Sequence, residues 1–214
     1  SSTISRFRVE LSANALKIDV TGTVTNNVGA TIAIGTGELE SAGNITNSGT
    51  ITVGTGTLDA NADLDVGTLT CSGNSVIEVF GDWSGVDAFT SSTSTVTFNG
   101  TSTFTITTGG TDATHDFYNV AHTGTGTLQL SSFGMTVNND LTNSAGSFDV
   151  NGQIVTVGGD FTISGFSSLS STTGDLDLNV AGILAINSTV PTDIYTIGGG
   201  NILLDGCDTI TIGS

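Results

Sequence analysis

Few residues in this chain have the types and spacing that chemistry needs. Carboxylates recur in pairs, Asp63 with Asp65, Asp175 with Asp177 and Asp205 with Asp208. An inverting polysaccharide hydrolase requires two such groups, one to protonate the leaving oxygen and one to activate water. Each pair sits beside Gly or Asn, where an Asp side chain bonds its own backbone in a tight corner. Turn-making is therefore their expected role, and no catalytic residue is assigned. Lyase chemistry on an acidic sugar needs cationic groups beside the base. The only basic residues other than histidine are Arg6, Arg8 and Lys17, so the body has none to offer.

Asp112, His115 and Asp116 lie in Gly109-Gly110-Thr111-Asp112-Ala113-Thr114-His115-Asp116, with His122 shortly after. Carboxylate and imidazole together can ligate a divalent metal. Their spacing fits no defined metal motif, so they stand as metal candidates on a loop bulging from a repeat. No cofactor is expected. Calcium should associate with the acidic surface weakly and without fixed stoichiometry, because the Gly-Gly-x-Gly-x-Asp array is missing.

Cys71 alternates with Leu69 and reads as a small buried hydrophobe. Cys207 follows 136 residues later, in Asp205-Gly206-Cys207-Asp208. In a stacked rod the two would lie roughly 30 Å apart, far beyond disulfide reach. Cys207 is better placed for a contact between subunits.

The elements that must carry these residues are strands. Thr, Val and Ile favour extended backbone, while Gly (30 residues), Asn, Ser and Asp supply corners. Net charge is −17, which repels phosphate backbones and anionic lipid surfaces. Nucleic-acid partners and membrane insertion are excluded on this reading, the latter also because no long apolar run occurs. A charged fraction of 11% fits walls, sheaths and extracellular fibres, so an extracellular or cell-surface location is expected. The opening Ser1-Ser2, without Met or an apolar leader, fits a processed or excised segment.

The chain repeats itself. Thr31-Ile32-Ala33-Ile34-Gly35-Thr36-Gly37-Glu38-Leu39 returns nineteen residues later as Thr50-Ile51-Thr52-Val53-Gly54-Thr55-Gly56-Thr57-Leu58. Gly22–Asn27 returns as Gly43–Ser48 with a two-residue slip, and Val137–Thr142 returns as Val157–Thr162 twenty residues on. Val180-Ala181-Gly182-Ile183 is a looser copy. Apolar residues alternate within each copy, as in Ile51/Val53, Leu69/Cys71, Val96/Phe98 and Leu128/Leu130, which predicts short half-buried strands. About 20 residues per coil suits one rung of a parallel β-helix. About ten rungs at the strand spacing give a rod roughly 45 Å long.

Ser94-Thr95-Val96-Thr97-Phe98-Asn99-Gly100, with Phe117-Tyr118-Asn119-Val120 and Val157–Thr162, resembles the repeats of secreted bacterial β-helix proteins. Ile194-Tyr195-Thr196-Ile197-Gly198-Gly199-Gly200-Asn201-Ile202 is similar to the degenerate repeats of filamentous-haemagglutinin-type adhesins. The likeness spans roughly residues 20–212 and implies a right-handed, exported, rod-shaped protein with an adhesive or structural role. It transfers no catalytic residue.

Residues 1–19 differ from this body of residues 20–214. Phe7, Val9 and Leu11 alternate with Arg6 and Arg8, giving the chain an atypical N-terminal strand. Such a strand either caps its own rod or pairs with the next molecule, setting arginines against an acidic partner. Head-to-tail contacts that do not close produce filaments. The expectation is a non-enzymatic structural subunit whose partner is itself in a homopolymer, assembling through Arg6, Phe7, Arg8, Val9, Leu11 and Cys207. The alternatives are a passive adhesin rod binding a glycan or host surface, and a polysaccharide hydrolase using an Asp pair.

Overall fold

The computed structural model describes residues 16–187 with their side chains. Outside that span it describes the backbone strands Ser2–Ile4, Arg8–Leu11, Tyr195–Ile197, Ile202–Asp205 and Thr209–Ile212. The chain is an all-β parallel β-solenoid of about nine turns, with no helix among the described residues. Nine turns at the strand spacing make a rod of roughly 43 Å, close to the ten-rung expectation.

One face runs the length of the rod. Its strands are Lys17–Val20, Glu38–Ser41, Thr57–Ala60, Val76–Val79, Thr95–Phe98 and Asn119–His122. The first residues of Leu141–Asp149 and Phe161–Ser171 follow, then Ile183–Ser188 and Thr209–Ile212. Every pairing is parallel. The registers are those of the sequence repeat: Ile32 on Ile51, Leu39 on Leu58, Val24 on Ile45, Val137 on Val157 and Val157 on Val180. Alternation works as anticipated, with Ile51, Val53, Leu58 and Ala60 buried and the intervening Thr and Asp partly exposed.

A second face stacks Val24–Asn26 on Ile45–Asn47, then on the start of Leu64–Cys71 and of Trp83–Thr90. It passes to Thr103–Ile106 and Thr127–Leu130 through the pairing of Trp83 with Ile106. The third face is broken. Its first half stacks Arg8–Leu11, Thr31–Ile34, Thr50–Val53 and the ends of Leu64–Cys71 and Trp83–Thr90. Its second half is a separate four-stranded sheet of Met135–Val137, Ile154–Val157, Leu176–Val180 and Ile202–Asp205.

At the break the core becomes aromatic. Trp83 lies 5.2 Å from Phe89 and 5.3 Å from Phe117 between ring centroids, and all three are fully buried. Large rings fill the cross-section where the backbone changes course, burying apolar area that smaller side chains would leave as voids. Polar ladders serve the corners. Asn26 donates to Asn47 Oδ1 at 2.7 Å, and Asn47 Nδ2 donates to the carbonyls of Val66 and Thr68 at 2.6 and 3.0 Å. These bonds satisfy buried backbone acceptors that a corner would otherwise orphan.

The described strands within residues 1–19 join this architecture. Ser2–Ile4, Arg8–Leu11 and Lys17–Val20 stack on the next turn in the repeat register. Arg8, Val9 and Leu11 pair with Thr31, Ile32 and Ile34. Arg6, Phe7 and Cys207 lie outside the described residues. Cys71 is a buried free thiol, as its alternation with Leu69 predicts, and burial pushes its pKa up.

Candidate functional site

The connection across the broken face is a shelf at residues 109–116. Its ends are tied to the turns on either side: Phe89 N–H donates to the Thr114 carbonyl at 2.6 Å, and Thr108 Oγ1 donates to the Gly134 carbonyl at 3.0 Å. Gly109 has a φ of +87°, a conformation that costs glycine little. The shelf is knotted by Asp112, whose Oδ1 accepts from Thr114 N at 2.9 Å, Thr114 Oγ1 at 2.5 Å and His115 Nδ1 at 3.0 Å. Hydrogen bonds from Thr114, then from His115, hold the Asp112 carboxyl down at about 2.

Asp112 and His115 are thus brought together. Asp116 is held elsewhere, by Asn138 and Thr136, and burial pushes its pKa up against those bonds. His122 is not part of the shelf: it is buried in the core with Nδ1 against Asn143.

Of the carboxylate pairs, the first is built into the stacking of the turns. Asp63 Oδ1 accepts from Asp82 N at 3.0 Å and Oδ2 from Asn44 Nδ2 at 3.1 Å, each a bond between turns. Asp65 packs against Gly85, and burial, then Asp87, raises its pKa. Asp177 pairs in register with Ile154, and the Asp175 carbonyl accepts from Ser171 Oγ. Asp205 pairs with Asn179, while Asp208 lies outside the described residues.

One cluster escaped sequence reading. Asp19, Glu40, Asp59 and Glu78 stand in register on four successive turns of the continuous face. Lys17 Nζ bridges Glu38, at 2.9 Å, and Glu40. Oxygens of Glu38, Glu40 and Asp59 fall within 4.8 Å of one another, a spacing a hard divalent cation could span. The Lys17 ammonium already neutralises part of this charge, and its own pKa is raised by Glu40 and Glu38. Asp59 is pushed up to about 6 by burial, then by Glu78 and Glu40. The signal was present as an acid recurring at offsets of 21, 19 and 19 residues.

Beside the shelf a groove of about 500 Å³ opens on the second half of the third face. Thr111, Thr136, Gln153, Ile154 and Thr156 line it. Gly134 also lines it, at a close approach between turns where a Cβ would stand 2.6 Å from the Ile154 carbonyl oxygen.

The fold defines a β-solenoid with one sculpted seam. The chain matches no protein-family model, no curated protein and no solved structure.

Proposed function

We propose that this chain is a non-enzymatic structural rod, a β-solenoid subunit of an extracellular filament, sheath or surface appendage related in kind to adhesin repeats. The observation that carries this reading is the direction in which its polar side chains bond. Asn61 with Glu40, Thr93 with Asn74, Gln129 with Asp149 and Asn139 with Asn119 all join one turn to the next, 19 to 21 residues apart. Groups that an enzyme would converge on a substrate here stiffen the rod along its axis. Among the described residues Arg8–Leu11 pairs with Thr31–Ile34 alone, so a second copy can add a parallel strand to its other edge. Basic Arg6 and Arg8 suit an acidic neighbour with a net charge of −17.

Negative-stain electron microscopy with and without the first dozen residues tests this. Long uniform fibres that vanish on truncation, and that fail in Arg6→Glu/Arg8→Glu, are expected. Single short rods in both samples overturn head-to-tail assembly. A second reading, a rod displaying its shelf to a glycan or host surface, is favoured by the seam, where the regular outline is interrupted by a fixed loop and a groove.

A further inference from the structure

The groove at the seam has the lining of a ligand site. Its volume of about 500 Å³ lies in the range of small-molecule sites. Thr111, Gln153 and Thr156 carry hydroxyl and amide groups with no side-chain hydrogen bond to another described residue. Among them Ile154 is 51% exposed. Polar groups that give and accept hydrogen bonds, set around exposed hydrocarbon, match a pyranose with its equatorial hydroxyls and C–H faces.

Charge narrows the class. Asp112 and Asp116 lie on the shelf side, and Asp177 pairs in register with Ile154 on the other. The shelf's one counter-group, His115, is already engaged by Asp112. An anionic sugar would enter a rim of carboxylates with no arginine or lysine to meet it.

We propose that this groove binds a neutral oligosaccharide, with Gln153, Thr156 and Thr111 hydrogen-bonding sugar hydroxyls and Ile154 packing against a ring face. This deepens the display reading by naming its ligand class. The shelf holds Thr111 in place before any ligand arrives, because both ends and the Asp112 knot are fixed, so little ordering entropy opposes binding.

The test is calorimetric titration of the whole chain with hexasaccharides of cellulose, chitin, xylan and mannan, and with tetragalacturonate as the anionic comparator. Saturable binding of at least one neutral hexasaccharide is expected, weakened tenfold or more by Gln153→Ala and abolished by Ile154→Asp, with tetragalacturonate silent. Thr111→Lys, on the shelf and outside any strand, should also abolish binding and guards against a strand variant that fails to fold. Silence from all four neutral ligands, undiminished binding in the variants, or equal binding of tetragalacturonate overturns the proposal. Adhesion to a glycan-coated surface that the groove variants leave unchanged would sink the groove and leave the display reading standing.

Discussion

His122 Nδ1 lies 2.9 Å from Asn143 Oδ1 one turn further along the rod, and both side chains are buried. Asn143 spends its Nδ2 on the Ser168 carbonyl at 2.7 Å, so its oxygen is the acceptor and His122 carries its proton on Nδ1. The other ring nitrogen, Nε2, is buried without a hydrogen-bond partner among the described residues. Phe98 faces His122 from the previous turn and Phe104 meets its ring edge, 5.7 Å away between centroids. Neither these rings nor Asn143 is titratable, so the Asn143 bond alone favours an imidazolium against the cost of burial.

Burial therefore lowers the His122 pKa, the Asn143 bond opposing it. A group depressed in the fold binds its proton more readily when unfolded. Its stability contribution is whole above the ordinary histidine value of about 6.5 and is lost as pH falls through the lower folded value. His122→Leu should remove that acid sensitivity while costing about 1–2 kcal/mol at pH 7.5, because Asn143 Oδ1 loses its donor. Denaturant melts at several pH values, read at the buried Trp83, check this. Equal acid slopes in both proteins would count against it.

Asp59 gives the opposite sign. Its pKa is raised to about 6 by burial and by Glu78, Glu40 and Glu38. The fold favours the protonated form, so this contribution is present below the unfolded value of about 3.9 and is lost as pH rises through about 6. Asp59→Asn should raise Tm at pH 7.5 by about 1–3 °C, a surface-screened effect, and by much less near pH 4. Thermal scans at the two pH values decide it.

These pH effects expose what could be read from residues alone. The repeat of Ile32 in Ile51 and Leu39 in Leu58 is the observed register, because a stacked turn places like side chains on like. The fold class followed from that. The column of Asp19, Glu40, Asp59 and Glu78 was equally regular, but its acids become neighbours only once the registers, including the two-residue slip, are known. The loop at residues 109–116 was legible as a bulge from a repeat, but the break in the face that it crosses was not. Residues 107–116 carry no repeat, and the register of Trp83 on Ile106 accompanies a core filled by rings. The groove lies beside the same break, so it too had no sequence signal.

Asp149 was hidden for a different reason. It follows Phe148 at the end of a strand, and both are buried, so alternation fails there. Its carboxylate accepts from Gln129 Nε2 at 2.7 Å, Asn151 N at 2.9 Å, and Thr172 N and Oγ1 at 3.0 and 2.8 Å. One acid thereby ties three turns. Asp149→Ala leaves those donors without their acceptor and should cost about 2–4 kcal/mol in urea unfolding, with Asp149→Asn milder because one acceptor oxygen remains. A loss under about 0.5 kcal/mol for the alanine variant would show that the network is dispensable.

Glycine at the corners should matter only where turns touch. A Cβ on Gly126 would stand 1.9 Å from the Ser102 carbonyl oxygen of the turn before it. That neighbour is backbone within a stacked ladder and cannot swing away as a side chain can, so the turn spacing itself must open. Gly126→Ala is expected to cost about 1–3 kcal/mol or more. Gly22 occupies a comparable corner with nothing within 4 Å of its would-be Cβ, so Gly22→Ala should change stability by no more than about 0.5 kcal/mol. Chemical denaturation of the two variants side by side separates contact between turns from any general intolerance of alanine at corners. Equal losses at both sites would assign the effect to local backbone conformation instead of stacking.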